Sequence, residues 1–246
     1  AGFRHLGPGA LLFLRHIEEI TWGVDDGPSG FYMRYSPEAL GNNVKRVTVI
    51  GQETGQPEVD QNWLVFHRNV FSADQQREGR VEIAFLLVPK TDSPGSWAVK
   101  PLASSPLVVF FPTVVESHLG FLVQGPYRTT PGRDNIVPSD PWNQNLIAET
   151  AKLLVDAMCW MRGSGMLDVS ALCCLPLDSE KFAPETRFAL LFDAVRSAFQ
   201  EEALLPTTNG THVMSHQAKL ARRQELRELF SPQQVAALLD PDVTAW

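Results

Sequence analysis

The chain has 246 residues, 44% hydrophobic and 20% charged, and 21 Lys and Arg face 28 Asp and Glu for a formal net charge of −7. This is a globular composition, long enough to bury a substantial core; it excludes wholesale disorder and collagen-like repetition, and its acidic balance argues against a nucleic-acid partner, which needs a dominant basic face. The longest apolar candidates, 84–89 and 107–112, fall far short of the roughly 20 residues of a membrane span, so no membrane partner is expected.

The opening AGFRHLGPGALLFLRH has an apolar patch too short, and too soon followed by Arg15, Glu18 and Glu19, to read as a signal peptide. Strands are expected at 19–24, 30–35, 44–51, 63–70, 80–88, 97–100, 107–111 and 120–124. In the third of these, Val44, Val47, Val49 and Ile50 mix with Lys45, Arg46 and Thr48, as in a strand with one wet face. DDGPSG, ETGQPE and TDSPGS supply the residues of tight reversals, and such short connections imply an antiparallel meander.

The pattern changes at Asp140-Pro141, a cap followed by a first-turn proline. A helix is expected from there to about 162, with Leu146, Ile147, Thr150, Leu153, Leu154, Ala157, Met158 and Met161 on one face and Gly163-Ser164-Gly165 as the stop. Further helices are expected at 168–172, 186–201 and 217–230, and a last one through 239 begins at Ser231, where Gln234 completes a capping box. Between them, Asn209-Gly210 suits a small hairpin. The fold class is therefore α+β: a largely antiparallel β-rich region over 1–139, and a helical region over 140–246 packed on it.

The sequence carries little that marks self-contained chemistry. There is no GxxxxGK[ST] and no GxGxxG after a strand, so the chain lacks the motifs that would hold a nucleotide alone. His212 and His216 stand four apart without a nearby acidic or thiol partner, and read as a surface pair rather than a metal site. His16, His67 and His118 stand singly among apolar residues and read as structural. Cys159, Cys173 and Cys174 are odd in number with two adjacent, which suits a reducing cytoplasm; in ALCCLPLD the apolar neighbours suggest buried, inert thiols. The basic residues Lys219, Arg222, Arg223 and Arg227 alternate with Glu225 and Glu228 as on a solvated helix face.

The stretch 110–136, FFPTVVESHLGFLVQGPYRTTPGRDNI, differs in kind. A buried-looking strand end (Val108, Val109, Phe110, Phe111) and a second strand lead into a polar loop. There Gly125 and Gly132 permit unusual backbone conformations and Pro126 and Pro131 stiffen the chain. Arg128 and Arg133 offer planar donors suited to phosphate, with Asp134 and Asn135 placed to orient the second. The same residues also allow a purely structural clamp of arginine–carboxylate pairs.

With 11–22 (LLFLRHIEEITW) and DPWNQNLIAETAKLL from Asp140, this stretch resembles the region following the nucleotide-binding domain in sacsin-like and HtpG-like chaperones, members of the gyrase, heat-shock chaperone, histidine kinase and MutL ATPase superfamily. The resemblance runs from about Leu11 to Leu239. In HtpG-type chaperones a Ser-Arg-x-x-Leu stretch sends its arginine to the terminal phosphate of ATP in the neighbouring domain. Gly132-Arg133-Asp134-Asn135-Ile136 is similar, departing from the family at Gly132 and Asp134. The resemblance implies that Arg133 reaches the γ-phosphate in trans, that Arg128, Asn135 and Gln124 contribute to nucleotide contact, and that ATP with Mg2+ is held mainly by an upstream ATP-binding domain. The family's Glu/Asn helix, DxGxG turn and glycine-rich lid are not found in order here; Asp25-Asp26-Gly27-Pro28-Ser29-Gly30 is read as a hairpin turn. A client protein and a homodimer are compatible partners, and no hydrolysis by the chain alone is expected. The competing expectation is a protein-binding module for a client or partner, in which Trp22, Trp63, Trp97 and Trp142 form the surface and the loop is structural.

Overall fold

The computed structural model describes residues 8–72, 75, 76, 78–91, 93–207 and 210–218, with isolated positions at 229, 231, 234 and 237. Among the described residues ten strands form one sheet: β1 (Glu19–Gly23), β2 (Ser29–Arg34), β3 (Glu38–Gly41), β4 (Val44–Glu53), β5 (Val59–Phe71), β6 (Glu78–Pro89), β7 (Trp97–Lys100), β8 (Pro106–Val109), β9 (Phe111–Glu116) and β10 (Leu122–Gln124). Their order is β1-β2-β4-β5-β6-β10-β8-β9, with β3 on β4 and β7 on β6. The helical part follows as α1 (Pro141–Gly163), α2 (Val169–Leu172) and α3 (Ala189–Glu201), so the chain is α+β, a mixed but largely antiparallel sheet followed by helices.

The meander expected from short connections holds for β1, β2, β4, β5 and β6, then breaks. β10 returns to lie between β6 and β8, antiparallel to the first and parallel to the second, where Gln124 meets Val108. The return is tight: a Cβ on Gly120 would lie 2.4 Å from the Cα of Cys174, and the Gly120 amide donates to the Cys174 carbonyl at 3.0 Å. The strand expected over 107–111 is two strands. Phe110 takes a positive φ of 62° and folds the chain back, so Val109 pairs with Phe111, and both Phe110 and Phe111 are exposed rather than buried.

Side-chain alternation along β5 and β6 builds two layers. Leu64, Phe66, Val81, Ile83 and Phe85 join the cluster shared with α1 and α3, where Leu146, Leu153, Leu154 and Met158 are almost fully buried. Each such side chain contributes roughly 2 kcal/mol of hydrophobic stabilisation. Arg68, on the same side, ion-pairs with Glu149 at 3.1 Å and Asp156 at 2.5 Å on α1. Trp63, Val65 and Ala84 face the other way, under the 3-10 helix Pro8–Leu12 and the following Phe13 and Leu14.

α1 begins where its sequence says: the Asp140 carboxylate accepts from the amides of Trp142 at 2.9 Å and Asn143 at 3.2 Å. α3 starts three residues later than expected, because the Thr186 hydroxyl donates to the Ala183 carbonyl at 2.7 Å and closes a separate turn first. The hairpin expected around Asn209-Gly210 has its two arms, Leu205–Pro206 paired with His212–Val213, while Asn209 lies outside the described residues. The helix expected from Gln217 does not begin there: Gln217 closes a 3-10 turn, Ser215–Gln217, and Ala218 is extended. Ser231 and Gln234 exchange the reciprocal capping bonds; apart from these and the isolated positions 229 and 237, the helices expected over 217–230 and 231–239, with the basic cluster from Lys219 to Arg227, lie outside the described residues. Among the described residues no helix is long and apolar enough to cross a membrane.

Candidate functional site

The polar loop leaving β10 is fastened to the first turn of α1. Gly125 and Pro126 pass over buried Tyr127, whose hydroxyl lies 3.4 Å from that of Thr150 and whose pKa burial pushes up to about 12. The Trp142 indole donates to the Pro126 carbonyl at 3.1 Å. Asn143, only 1% exposed, does most of the fastening. Its Oδ1 accepts from the Arg128 amide at 2.8 Å, and its Nδ2 donates to the carbonyls of Arg128 at 2.9 Å and Val137 at 3.0 Å, closing the two ends of the loop on one side chain. Sequence reasoning passed over Asn143; its signal is an amide side chain one turn inside a helix that follows a polar loop.

Within the loop, Thr129 bridges to Ile136, the Thr130 amide donates to the Asn135 carbonyl at 2.9 Å, and the Arg133 amide donates back to Thr130 at 2.9 Å. The Thr130 hydroxyl also donates to the Asp134 carboxylate and holds it below the usual carboxylate range. The unusual backbone conformation expected at Gly125 and Gly132 is found at neither; Arg133 itself takes it, at φ 55°. A non-glycine residue there is held against its own preference by the surrounding turn. What Gly125 provides is close approach, since a Cβ would lie 2.8 Å from the Tyr127 ring.

The four residues singled out from the sequence are not gathered in one place. Arg128 donates to Asp140 at 2.7 Å, so its charge is spent on the residue that caps α1. Asn135 uses its Oδ1 to accept from the Ile136 amide at 2.9 Å and from the Arg187 guanidinium. Asp134 is bonded to Thr130, so neither it nor Asn135 orients Arg133. Arg133 is exposed beside the β8–β9 hairpin at the end of the sheet, donating to the carbonyls of Val109 at 2.9 Å and Phe111 at 3.1 Å. Among the described residues no carboxylate ion-pairs with it. Gln124 is 4% exposed and faces the other layer of the sheet.

There it lines a cavity of about 620 Å3, bounded by Phe13, Leu14, Arg15, Gly79, Arg80, Glu82, Phe110 and Pro126. Glu82 is 2% exposed, 3.8 Å from the Lys45 ammonium and 4.0 Å from Arg80 Nε. Burial raises the Glu82 pKa and lowers those of Lys45 and Arg80. His67, paired across the strands with Glu82, is lowered to about 4, first by burial and then by nearby Arg80, Lys45 and Arg15. Gln124 Oε1, Arg80 Nε and His67 Nδ1 are buried without a hydrogen-bond partner among the described residues. This polar cluster also escaped sequence reasoning; its trace is Glu82 within the otherwise apolar run VEIAFLLV.

Other candidates resolve into structure. His212 Nε2 meets the Leu167 carbonyl at 2.8 Å while His216 is exposed, and among the described residues no three metal-ligating side chains cluster. Cys174 is buried, its thiol pushed up to about 12 by burial, but Cys173 is exposed, against the expectation that both are enclosed. Trp63 and Trp142 are buried, and Trp22 and Trp97 half-buried. Comparison with protein-family models, with curated proteins and with solved structures returns no match.

Proposed function

We propose that the chain is the middle, ATPase-coupling domain of a chaperone of the sacsin-like and HtpG-like kind, with Arg133 presented to the terminal phosphate of ATP held by a separate domain. The observation that carries this reading is the state of Arg133: an exposed guanidinium that among the described residues is bonded to two backbone carbonyls and to no carboxylate, on a loop fixed to α1. Carbonyls orient such a group without neutralising it, so its charge stays available to an incoming phosphate. Arg128 differs, since contact with phosphate requires it to give up Asp140. Phe110, Phe111 and Val114 are exposed on the same hairpin and give a partner domain an apolar footing beside Arg133. A client-binding surface made of the four tryptophans draws less support, because none of them is fully exposed.

The chemistry is electrostatic. A positioned guanidinium offsets charge gathering on the transferred phosphoryl group and links nucleotide state to domain closure. The test is ATP turnover with the ATP-binding domain present, fused or added in trans. Arg133→Ala is expected to lower kcat by about 10²-fold with little change in ATP affinity, and an unchanged kcat removes the assignment.

A further inference from the structure

The cavity on the opposite layer carries chemistry that the loop does not use, and it stands apart from the reading of Arg133. Its volume of about 620 Å3 lies within the range of small-molecule sites. Gln124, 4% exposed, lines it with a buried acceptor that no described donor meets, and Arg80 lines it with a buried Nε that stands 4.0 Å from the Glu82 carboxylate and has no hydrogen-bond partner among the described residues. Native structures rarely leave such groups unsatisfied, so a ligand bearing both an acceptor and an N–H or O–H is the complementary object. Gln124 sits opposite Glu82 on neighbouring strands, and so diagonal to Arg80, a separation of roughly 5–8 Å that the arginine side chain shortens.

Charge narrows the choice. Lys45 and Arg80 both stand beside the buried Glu82, at 3.8 and 4.0 Å, and with Arg15 these three cations against Glu82 and Glu78 leave an excess of one positive charge. Glu82 on the same floor disfavours a phosphate dianion, whereas a planar carboxylate matches a guanidinium with one charge. Phe13, Leu14 and Phe110 supply an apolar wall. We propose that this cavity binds the carboxylate of an N-acylated α-amino-acid unit with an apolar side chain, taken from a free N-acyl amino acid or from the last residue of a peptide. The carboxylate meets Arg80 and Arg15, the adjoining amide N–H donates to Gln124 Oε1, and the side chain lies along Phe13, Leu14 and Phe110.

The experiment is calorimetric titration of the full chain with N-acetyl-phenylalanine, its uncharged primary amide, and an N-acetylated pentapeptide ending in phenylalanine with a free carboxyl. The carboxylate is expected to bind at least about tenfold more tightly than the amide, because the charge-assisted bonds are lost in the latter. Arg15→Ala, at an exposed position, and Gln124→Leu are each expected to weaken it about tenfold. If Gln124→Leu does not fold, as circular dichroism will report, Arg15→Ala decides. A peptide bound tenfold more tightly than the single residue identifies a chain end as the source, and equal binding identifies the free N-acyl amino acid. Equal affinity for carboxylate and amide, indifference to Arg15→Ala, or no binding of any carboxylate probe overturns the proposal.

Discussion

Replacing Asn143 by alanine should loosen the whole loop from 128 to 137. The side chain makes three hydrogen bonds to the backbone at the two ends of that loop, all between 2.8 and 3.0 Å. At a net value near 1 kcal/mol each they are worth about 3 kcal/mol, and partial replacement by water at the outer carbonyls leaves a loss of about 2–3 kcal/mol. For a chain of this size that lowers Tm by roughly 4–12 °C. Urea unfolding followed by tryptophan fluorescence measures it. Asn143→Asp, which keeps an acceptor for the Arg128 amide but faces two carbonyl oxygens without a donor, should fall at least as far. A loss below about 1 kcal/mol in both variants refutes the reasoning and means that the Trp142–Pro126 and Arg128–Asp140 contacts fasten the loop without Asn143.

Two further outcomes follow from the packing. His67 has a folded pKa of about 4 against an ordinary 6.5, so the unfolded chain takes up the proton first; the stability it confers is whole above about 6.5 and is lost as pH falls through about 4. Unfolding free energy should therefore decline more steeply over that window in the parent than in His67→Gln, and parallel profiles contradict it. Gly120→Ala places a Cβ 2.4 Å from the backbone of Cys174 and should cost about 2–3 kcal/mol; a thermal melt equal to the parent's shows that the return to β10 is not so constrained.

Elements written in local pattern were legible in the sequence. The cap Asp140, the proline after it and the apolar face of α1 are all within four residues of one another or repeat at helical steps, and the helix follows them closely. Strand pairing was legible only where neighbours in sequence are neighbours in space. The insertion of β10 between β6 and β8 depends on the approach of Gly120 to Cys174, 54 residues away, and no local periodicity records it. The loop was found by its residue types, but its internal division of labour was not. Arg128 and Arg133 look alike in the sequence, and only the position of Asp140 relative to each separates the guanidinium of Arg128, which it pairs, from that of Arg133, which has no ion pair among the described residues. The polar cavity was missed because its members come from three strands, β5, β6 and β10, and from the N-terminal segment, so residues far apart in sequence meet there and no local pattern marks them.

Arg133 also joins the two features. The carbonyls it grips belong to Val109 and Phe111, and the residue between them, Phe110, stands at the mouth of the cavity. A fall in turnover on removing Arg133 therefore has two physical sources, the lost charge and a slackened hairpin. Arg133→Lys and Arg133→Met separate them. Lysine keeps the charge and a donor but not the planar fork, while methionine keeps chain length alone. If charge at the phosphate is the source, turnover orders as arginine, then lysine, then methionine, and binding in the cavity changes little between the two variants. If the hairpin brace is the source, loss of turnover instead tracks loss of cavity affinity across the variants. That second pattern would move the functional weight from the loop to the sheet face behind it.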